Sequence, residues 1–158
     1  MSAADPLTGI ADALGAVLLR ANRATLYARL TEHAAELDET LYPVLSGIAR
    51  LGSATPTELA DQIGLDRSVT TRYAASLETA GLVRRTPHAQ DRRAVALSLT
   101  VRGEQVVAES RAALRRLLAE VTGTWTAAER ASFAEHFERF VVELVARGRA
   151  ASRGHGQT

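Results

Sequence analysis

The sequence predicts a mainly α-helical protein with one small β-hairpin. Apolar residues recur three and four positions apart over most of the 158 residues, which is the period of helices with one buried face. Between Leu82 and Leu99 this period gives way to short apolar runs and alternation, which is typical of strands. Apolar residues make up 46% and charged residues 23% of the chain, as in ordinary globular proteins.

Two helices are predicted in the N-terminal part. Asp5 and Pro6 are typical of a helix cap and a first helical residue, and the apolar spacing continues this first helix to about Leu30. Thr40 is predicted to cap a second helix, which ends at Gly52. The apolar stripe of the first helix consists of Ile10, Leu14, Val17, Leu18 and Ala21.

A helix-turn-helix is predicted next. Thr55 and Glu58 match a capping box, in which each side chain bonds the backbone N–H of the other residue, and the helix they open runs to Gly64. Only two residues separate this glycine from the next helical pattern, which begins near Arg67 and has Gly81 at its C-terminal cap. Two short helices joined by such a tight turn define the motif.

The remaining elements are a hairpin and two long helices. Residues 82–83 and 95–99 are predicted as strands, and residues 86–91 supply turn-forming chemistry between them. Thr100 is predicted to cap a fifth helix, and a second capping box at Thr126 opens a sixth. This order of elements predicts a winged helix-turn-helix flanked by N- and C-terminal helices.

The chain is therefore divided into a winged helix-turn-helix lobe and flanking helices. The lobe is predicted at residues 37–100, the flanking helices at residues 1–36 and 101–148, and a polar, glycine-containing disordered tail at residues 149–158. The flanking helices carry apolar stripes that a compact monomer of this length would leave uncovered, so we expect them to form a homodimer. The alternative is that these stripes pack on each other within one chain.

Positive charge is concentrated in one segment. All 19 basic residues are arginine, which GC-rich coding explains as well as selection for phosphate binding does. Residues 67–102 contain seven arginines against two acidic residues, a net charge of +5, whereas residues 1–66 carry −5 and residues 103–158 carry +1. This segment covers the second helix of the helix-turn-helix and the hairpin, so we expect those elements to bind double-stranded DNA.

The second helix of the motif supplies the candidate base-reading side chains. Thr70, Ala74 and Leu77 share the face that would pack on the preceding helix. The candidate DNA-binding residues of this helix are Arg67, Ser68, Val69, Thr71, Arg72 and Tyr73. Two of them have structural alternatives, since Arg72 could instead form a surface ion pair with Glu78 and Tyr73 could pack partly into the core.

Residues 66–103 resemble the winged helix-turn-helix of the MarR (multiple antibiotic resistance regulator) family. The wing signature of that family, Asp-x-Arg followed by a strand, Leu-Thr and a glycine, is matched by Asp91, Arg93, Leu99, Thr100 and Gly103. The capping box, the Gly-Leu-Val junction after the second helix and the flanking helices also agree. Thr70 is a departure, because family members often carry an aliphatic residue there.

The resemblance implies a transcription regulator that binds a pseudo-palindromic operator as a homodimer. It implies that Arg93 enters or approaches the minor groove, that Asp91 orients a wing arginine and that Arg92 contacts a phosphate. It also implies repression relieved by a small aromatic or phenolic effector ligand, whose pocket the sequence does not identify.

The sequence lacks the residues that other functional classes, such as metal-binding proteins and enzymes, require. The chain has no cysteine, and His33, His88, His136 and His155 are scattered, so neither a metal site nor a cofactor is expected. No phosphate loop, nucleophile elbow or zinc-protease motif indicates an enzyme. Without a signal peptide or membrane span, a cytoplasmic location is expected. A winged-helix module that binds protein rather than DNA remains the alternative function.

Overall fold

The computed structural model describes residues 5–87 and 95–154, and the side chains up to residue 148. The described residues form seven α-helices, one short 3-10 helix and three strands. The helices are α1 (Pro6–Leu18), α2 (Arg20–Thr31), α3 (Tyr42–Leu51), α4 (Pro56–Ile63), α5 (Arg67–Thr79), α6 (Val101–Val121) and α7 (Ala127–Gly154). The strands are β1 (Ser53–Ala54), β2 (Val83–Pro87) and β3 (Val95–Leu99), and the 3-10 helix is Glu39–Leu41. The chain divides into two compact units, Met1–Arg115 and Arg116–Thr158.

The single N-terminal helix predicted from the sequence is wrong, because the structure has two helices there. Leu19 adopts an extended conformation with ψ near 133°, which separates α1 from α2. The side-chain amide of Asn22 donates to the carbonyl of Ala16 over 2.7 Å and satisfies a carbonyl at the end of α1. The apolar spacing continues through the break, so periodicity alone does not reveal it.

The predicted second helix starts differently, because a 3-10 helix precedes α3 and carries the capping side chain, whereas α3 itself has no side-chain cap. Asp38, rather than Thr40, is the capping residue, and its Oδ1 accepts hydrogen bonds from the backbone N–H and the hydroxyl of Thr40 at 2.7 and 2.6 Å. This carboxylate begins the short 3-10 helix, and α3 follows at Tyr42 with Pro43 in its first turn. Asp and Thr are both good caps, so the sequence did not decide between them.

The helix-turn-helix is confirmed. Thr55 and Glu58 form both hydrogen bonds of the capping box, with Thr55 N–H donating to Glu58 over 2.8 Å and Glu58 N–H donating to Thr55 over 3.2 Å. Gly64 ends α4 in the left-handed conformation that favours glycine, with φ near +68°. The short turn brings α5 against α3 and α4, and these helices bury Leu45, Ile48, Leu59 and Leu77 completely.

The hairpin belongs to a three-stranded antiparallel sheet of order β1-β3-β2. In the hairpin Val83 pairs with Leu99 and Pro87 pairs with Val95. The third strand, β1, was not predicted because it contains only two residues, too few to show a period. The predicted turn began at Thr86, but Thr86 and Pro87 belong to β2, and residues 88–94 lie outside the described part of the chain.

A compact junction joins α5, the hairpin and α6. The carbonyl of Leu82 accepts a hydrogen bond from Thr100 N–H over 3.0 Å, and the Thr100 hydroxyl donates to the Gly81 carbonyl over 2.7 Å. Thr100 also caps α6 as predicted, since its hydroxyl oxygen accepts from Gly103 N–H over 3.0 Å. A Cβ atom on Gly103 would overlap the Leu82 carbonyl oxygen. Glycine is therefore required for this close approach.

The second unit contains the C-terminal end of α6 and α7. Thr126 and Glu129 form the predicted capping box at the start of α7. The backbone N–H and the hydroxyl of Thr126 both donate to the Glu129 carboxylate and lower its pKa. The ring of Phe133 meets Trp125 edge-to-face and stacks on Phe137, with ring centroids 5.3 Å apart in both pairs. Apolar side chains of α7 are exposed, among them Phe133 at 49% and Phe137 at 52%.

The disordered tail predicted from Arg149 is wrong for its first part. The backbone is helical through Gly154, and residues 155–158 lie outside the described range. Arginine and alanine dominate residues 145–153 and favour helix, which outweighs the glycine content of the segment. No helix in the described ranges is long and apolar enough to cross a membrane.

The close contact between the Leu82 carbonyl and Gly103 predicts what one added methyl group at Gly103 would do. Gly103→Ala should lower the free energy of unfolding by about 2 kcal/mol or more, because backbone would have to move to relieve the overlap. Gly9→Ala in α1 is the control, since no atom lies within 4 Å of its added Cβ, and it should be neutral or stabilising by up to about 1 kcal/mol. Urea denaturation of both variants measures the difference. Equal stability of the two variants would contradict the steric role of Gly103.

Candidate nucleic-acid interface

The recognition helix α5 presents a polar face to solvent. Thr70, Ala74 and Leu77 are fully buried, which confirms the predicted inward face. The candidate residues on the other side are exposed or half-buried: Arg67, Ser68, Thr71 and Arg72 are exposed, and Val69 and Tyr73 are half-buried. All six candidates of this helix thus lie on the accessible side of α5 or at its edge.

Asp66 occupies the N-terminus of α5. Its Oδ1 accepts from Ser68 N–H over 2.7 Å, from Val69 N–H over 3.4 Å and from the Ser68 hydroxyl. The hydrogen bond from the Ser68 side chain, together with those from the backbone, lowers the pKa of the Asp66 carboxyl. A DNA phosphate at this end of the helix would have to compete with a carboxylate for the same donors. To donate to an acceptor on DNA, the Ser68 hydroxyl must therefore give up its hydrogen bond to Asp66.

The exposed hydroxyl groups of Thr71, Ser76 and Thr79 bond to the backbone of α5 itself. Thr71 donates to the Arg67 carbonyl over 2.8 Å, and Ser76 donates to the Arg72 carbonyl over 3.2 Å. These local bonds are readily exchanged, since the carbonyls they reach already accept within the helix. Thr71 is therefore available as a donor to a base edge or a phosphate.

Arg72 lies over an aromatic ring instead of forming an ion pair. Its Cζ atom is 5.4 Å from the centroid of the Tyr73 ring, within the range of a cation–π interaction. The alternative partner, Glu78, instead bonds Arg85 with Nε and Oε2 2.8 Å apart. Tyr73 packs against the hydrophobic core with part of its surface, as its structural alternative predicted.

The basic segment divides into paired and unpaired arginines. Arg85 pairs with Glu78, and Arg102 pairs with Glu36 over 2.6 Å, which lowers the pKa of the Glu36 carboxyl. Arg84 donates to the Ser98 hydroxyl over 3.2 Å across the hairpin. Among the described residues no carboxylate lies within ion-pair distance of Arg67, Arg72 or Arg84. Within the described part of the segment, these three arginines carry charge that no carboxylate compensates.

Arg84 was not among the candidate DNA-binding residues predicted from the sequence. The signal that could have identified it is its place in the +5 segment and on the first strand of the hairpin. The three wing candidates Asp91, Arg92 and Arg93 lie outside the described part of the chain. No cluster of potential metal ligands occurs in the residues that the structure describes.

Comparisons with known proteins show which family and which solved structures this chain is similar to. Residues 37–95 match the sequence model of the MarR family. The crystal structure of RV1404 from Mycobacterium tuberculosis is similar with a TM-score of 0.69 and 27% identity over 89% of this chain and 95% of that chain. The reduced form of MarR from E. coli is similar with a TM-score of 0.65 and 25% identity over 88% of this chain and 98% of that chain. The comparison with curated proteins gives no match.

A third similar structure contains nucleic acid. It is a mutant of MarR from E. coli complexed with operator DNA, with a TM-score of 0.60 and 23% identity over 87% of this chain and 99% of that chain. The architecture and the polar face of α5 are those of a winged helix-turn-helix protein. The resemblance inferred from the sequence is confirmed, since residues 37–95 match the MarR family model and the chain shares the fold of the similar structures.

Thr70 yields a test of the inward face of α5. Its hydroxyl is buried without a hydrogen-bond partner, which is costly because burial removes the water that would satisfy it. Thr70→Val should therefore raise the free energy of unfolding by about 1 kcal/mol, as the aliphatic preference of the family at this position implies. Thr71→Val is the control, because this hydroxyl is exposed and bonded, and it should change stability by less than about 0.5 kcal/mol. Destabilisation by Thr70→Val would contradict the burial.

Proposed function

We propose that this chain is a sequence-specific DNA-binding transcription regulator that acts as a homodimer on a pseudo-palindromic operator. The observation that carries the proposal is the exposed polar face of α5, the helix that begins the segment of residues 67–102 with its net charge of +5. A helix of this kind fits the major groove, where base pairs differ in their donor and acceptor patterns. The DNA complex of the E. coli relative supports the proposal by analogy of fold.

Each candidate residue has a role in this proposal. Arg72 meets a guanine edge or a phosphate, Thr71 bonds a base or a phosphate, and Val69 contacts a thymine methyl group. Arg67 and Ser68 lie at the start of the helix, near the backbone of the duplex. On the wing, Arg93 approaches the minor groove, Arg92 contacts a phosphate and Asp91 orients an arginine.

The flanking helices support the proposed dimer. Leu7, Val17 and Leu19 in the N-terminal helices and Phe133 and Phe137 in α7 are exposed. A second copy of the chain would remove this apolar surface from water, which favours association. Accordingly, residues 1–36 and 101–148 are proposed as dimerisation helices and residues 37–100 as the DNA-binding lobe.

The family resemblance extends the proposal to ligand-responsive repression. Regulation by thiol oxidation is excluded, because the chain contains no cysteine. A small aromatic or phenolic ligand that favours one arrangement of the dimer would change operator affinity by binding the two arrangements unequally.

DNA binding is tested with the full chain and an operator selected from a random duplex library. Affinity for that operator should fall at least on the order of a thousandfold between about 50 and about 200 mM salt, because Arg67, Arg72 and Arg84 of each protomer would displace about six counterions per dimer and the proposed wing contacts would add to that number. Arg72→Ala should cost about 1–3 kcal/mol of operator binding and relax preference at one position per half-site.

Arg93→Ala should weaken binding to the operator and to random duplex by similar factors and make the salt dependence of binding shallower. The reason is that a wing contact to the minor groove or a phosphate discriminates little between bases. Arg23→Ala in α2 is the charge-matched control and should leave both affinities unchanged. Weak retention of duplex that does not depend on salt would instead favour the protein-interaction module.

The proposed dimer is tested by sedimentation equilibrium. The wild-type chain should sediment at twice its mass of 16.9 kDa at micromolar concentration. Phe137→Asp should raise the dimer dissociation constant at least tenfold, because it places a charge on the exposed apolar face of α7. Glu135→Gln, on a polar position of the same helix, should leave dissociation unchanged. A monomeric wild-type protein would overturn the homodimer and the palindromic operator together.

A further inference from the structure

Arg72 and Tyr73 are adjacent in sequence, and such neighbours on a helix project about 100° apart. Their side chains nevertheless meet, with the guanidinium carbon of Arg72 5.4 Å from the centre of the Tyr73 ring. The arginine side chain must therefore fold across the helix surface toward the ring. Arg72 is exposed, whereas Tyr73 is half-buried.

Tyr73 is the fixed partner in this contact. Its ring packs against the core cluster that includes Ala74 and Leu77 of the same helix. A ring held by core contacts loses little further freedom when a guanidinium rests on it, so it restricts the flexible arginine side chain at small entropic cost.

Glu78 does not compete for Arg72, although it lies on the same helix. Its carboxylate is held by Arg85 of β2 with Nε and Oε2 2.8 Å apart. Glu78 is also six positions from Arg72 along the helix, so the two side chains do not face each other. The contact of Arg72 is with the Tyr73 ring, which holds the guanidinium while its N–H groups remain open to an acceptor. An ion pair would instead engage those N–H groups and cancel the charge.

We propose that Tyr73 is a positioning residue for operator recognition, acting through Arg72 rather than by contacting DNA itself. The ring holds the guanidinium in the geometry that a bidentate contact to one base edge requires, and so contributes to base discrimination at that position. This inference rests on the proposed function and changes the role assigned to Tyr73 from a groove contact to a support for one.

The test compares five variants on the selected operator and on a duplex with the Arg72-dependent base pair replaced. Tyr73→Leu keeps an apolar side chain on the core but removes the aromatic face. It should lower operator affinity on the order of tenfold for the dimer, a few-fold per half-site, and leave affinity for random duplex and the salt dependence unchanged. Tyr73→Phe retains the ring and should bind like the wild type.

The decisive comparison is made in the absence of the arginine. If Tyr73 acts only through Arg72, Tyr73→Leu should have no further effect in an Arg72→Ala background. Additive losses in the double variant would overturn the inference, as would failure of Tyr73→Phe to retain discrimination. Tyr42→Leu in α3, whose half-buried ring also packs against the core, is the matched control for loss of such a ring and should leave operator affinity unchanged.

A measurement on the free protein separates this inference from the proposed function. Resonances of the Arg72 side chain should show an upfield ring-current shift that persists in Tyr73→Phe and disappears in Tyr73→Leu. Absence of that shift in the wild type would overturn the inference even if the protein binds its operator. A wild-type protein that selects no duplex would overturn the proposed function, and the positioning role with it, even if the shift is present.

Discussion

The backbone carbonyl of Leu82 is the point on which the arrangement of the winged lobe depends. It accepts a hydrogen bond from Thr100, at the start of α6, and it approaches Gly103 so closely that no side chain fits there. Leu82 itself is completely buried and its N–H bonds the Leu77 carbonyl of α5. One residue thus joins the end of the recognition helix to the hairpin and to α6, and displacement of any of the three would expose its polar groups.

The packing of these elements also explains why the arginines of the basic segment are not equally available to a ligand. Arg102 follows Thr100 closely and is held by Glu36, and Arg85 on β2 is held by Glu78 on α5. Both pairs are partly exposed, so they add little stability and mainly fix where these guanidinium groups lie. Among the described residues of the segment, the charge left for a polyanion is that of Arg67, Arg72 and Arg84, on the recognition helix and the adjoining strand.

Much of the lobe could be predicted from the sequence because its signals are local. The capping boxes at Thr55 and Thr126 depend on contacts three residues apart, and the glycines at positions 64 and 81 mark left-handed turns, with φ near +68° and +72°. The inward face of α5 followed from helical spacing alone. The break at Leu19 and the strand β1 escaped prediction, because one interrupts no apolar pattern and the other is too short to form one.

The sequence by itself determined the order of the elements, the helix caps around the motif and the segment that carries positive charge. Only the tertiary structure decided which charges are paired, since the partner of Arg102 lies 66 residues away at Glu36 and the partner of Arg85 lies on a different element. It also decided that Tyr73 packs on the core and that Arg72 rests on its ring rather than on Glu78. Local signals depend on neighbours along the chain, whereas the availability of a side chain for binding depends on what the fold places beside it.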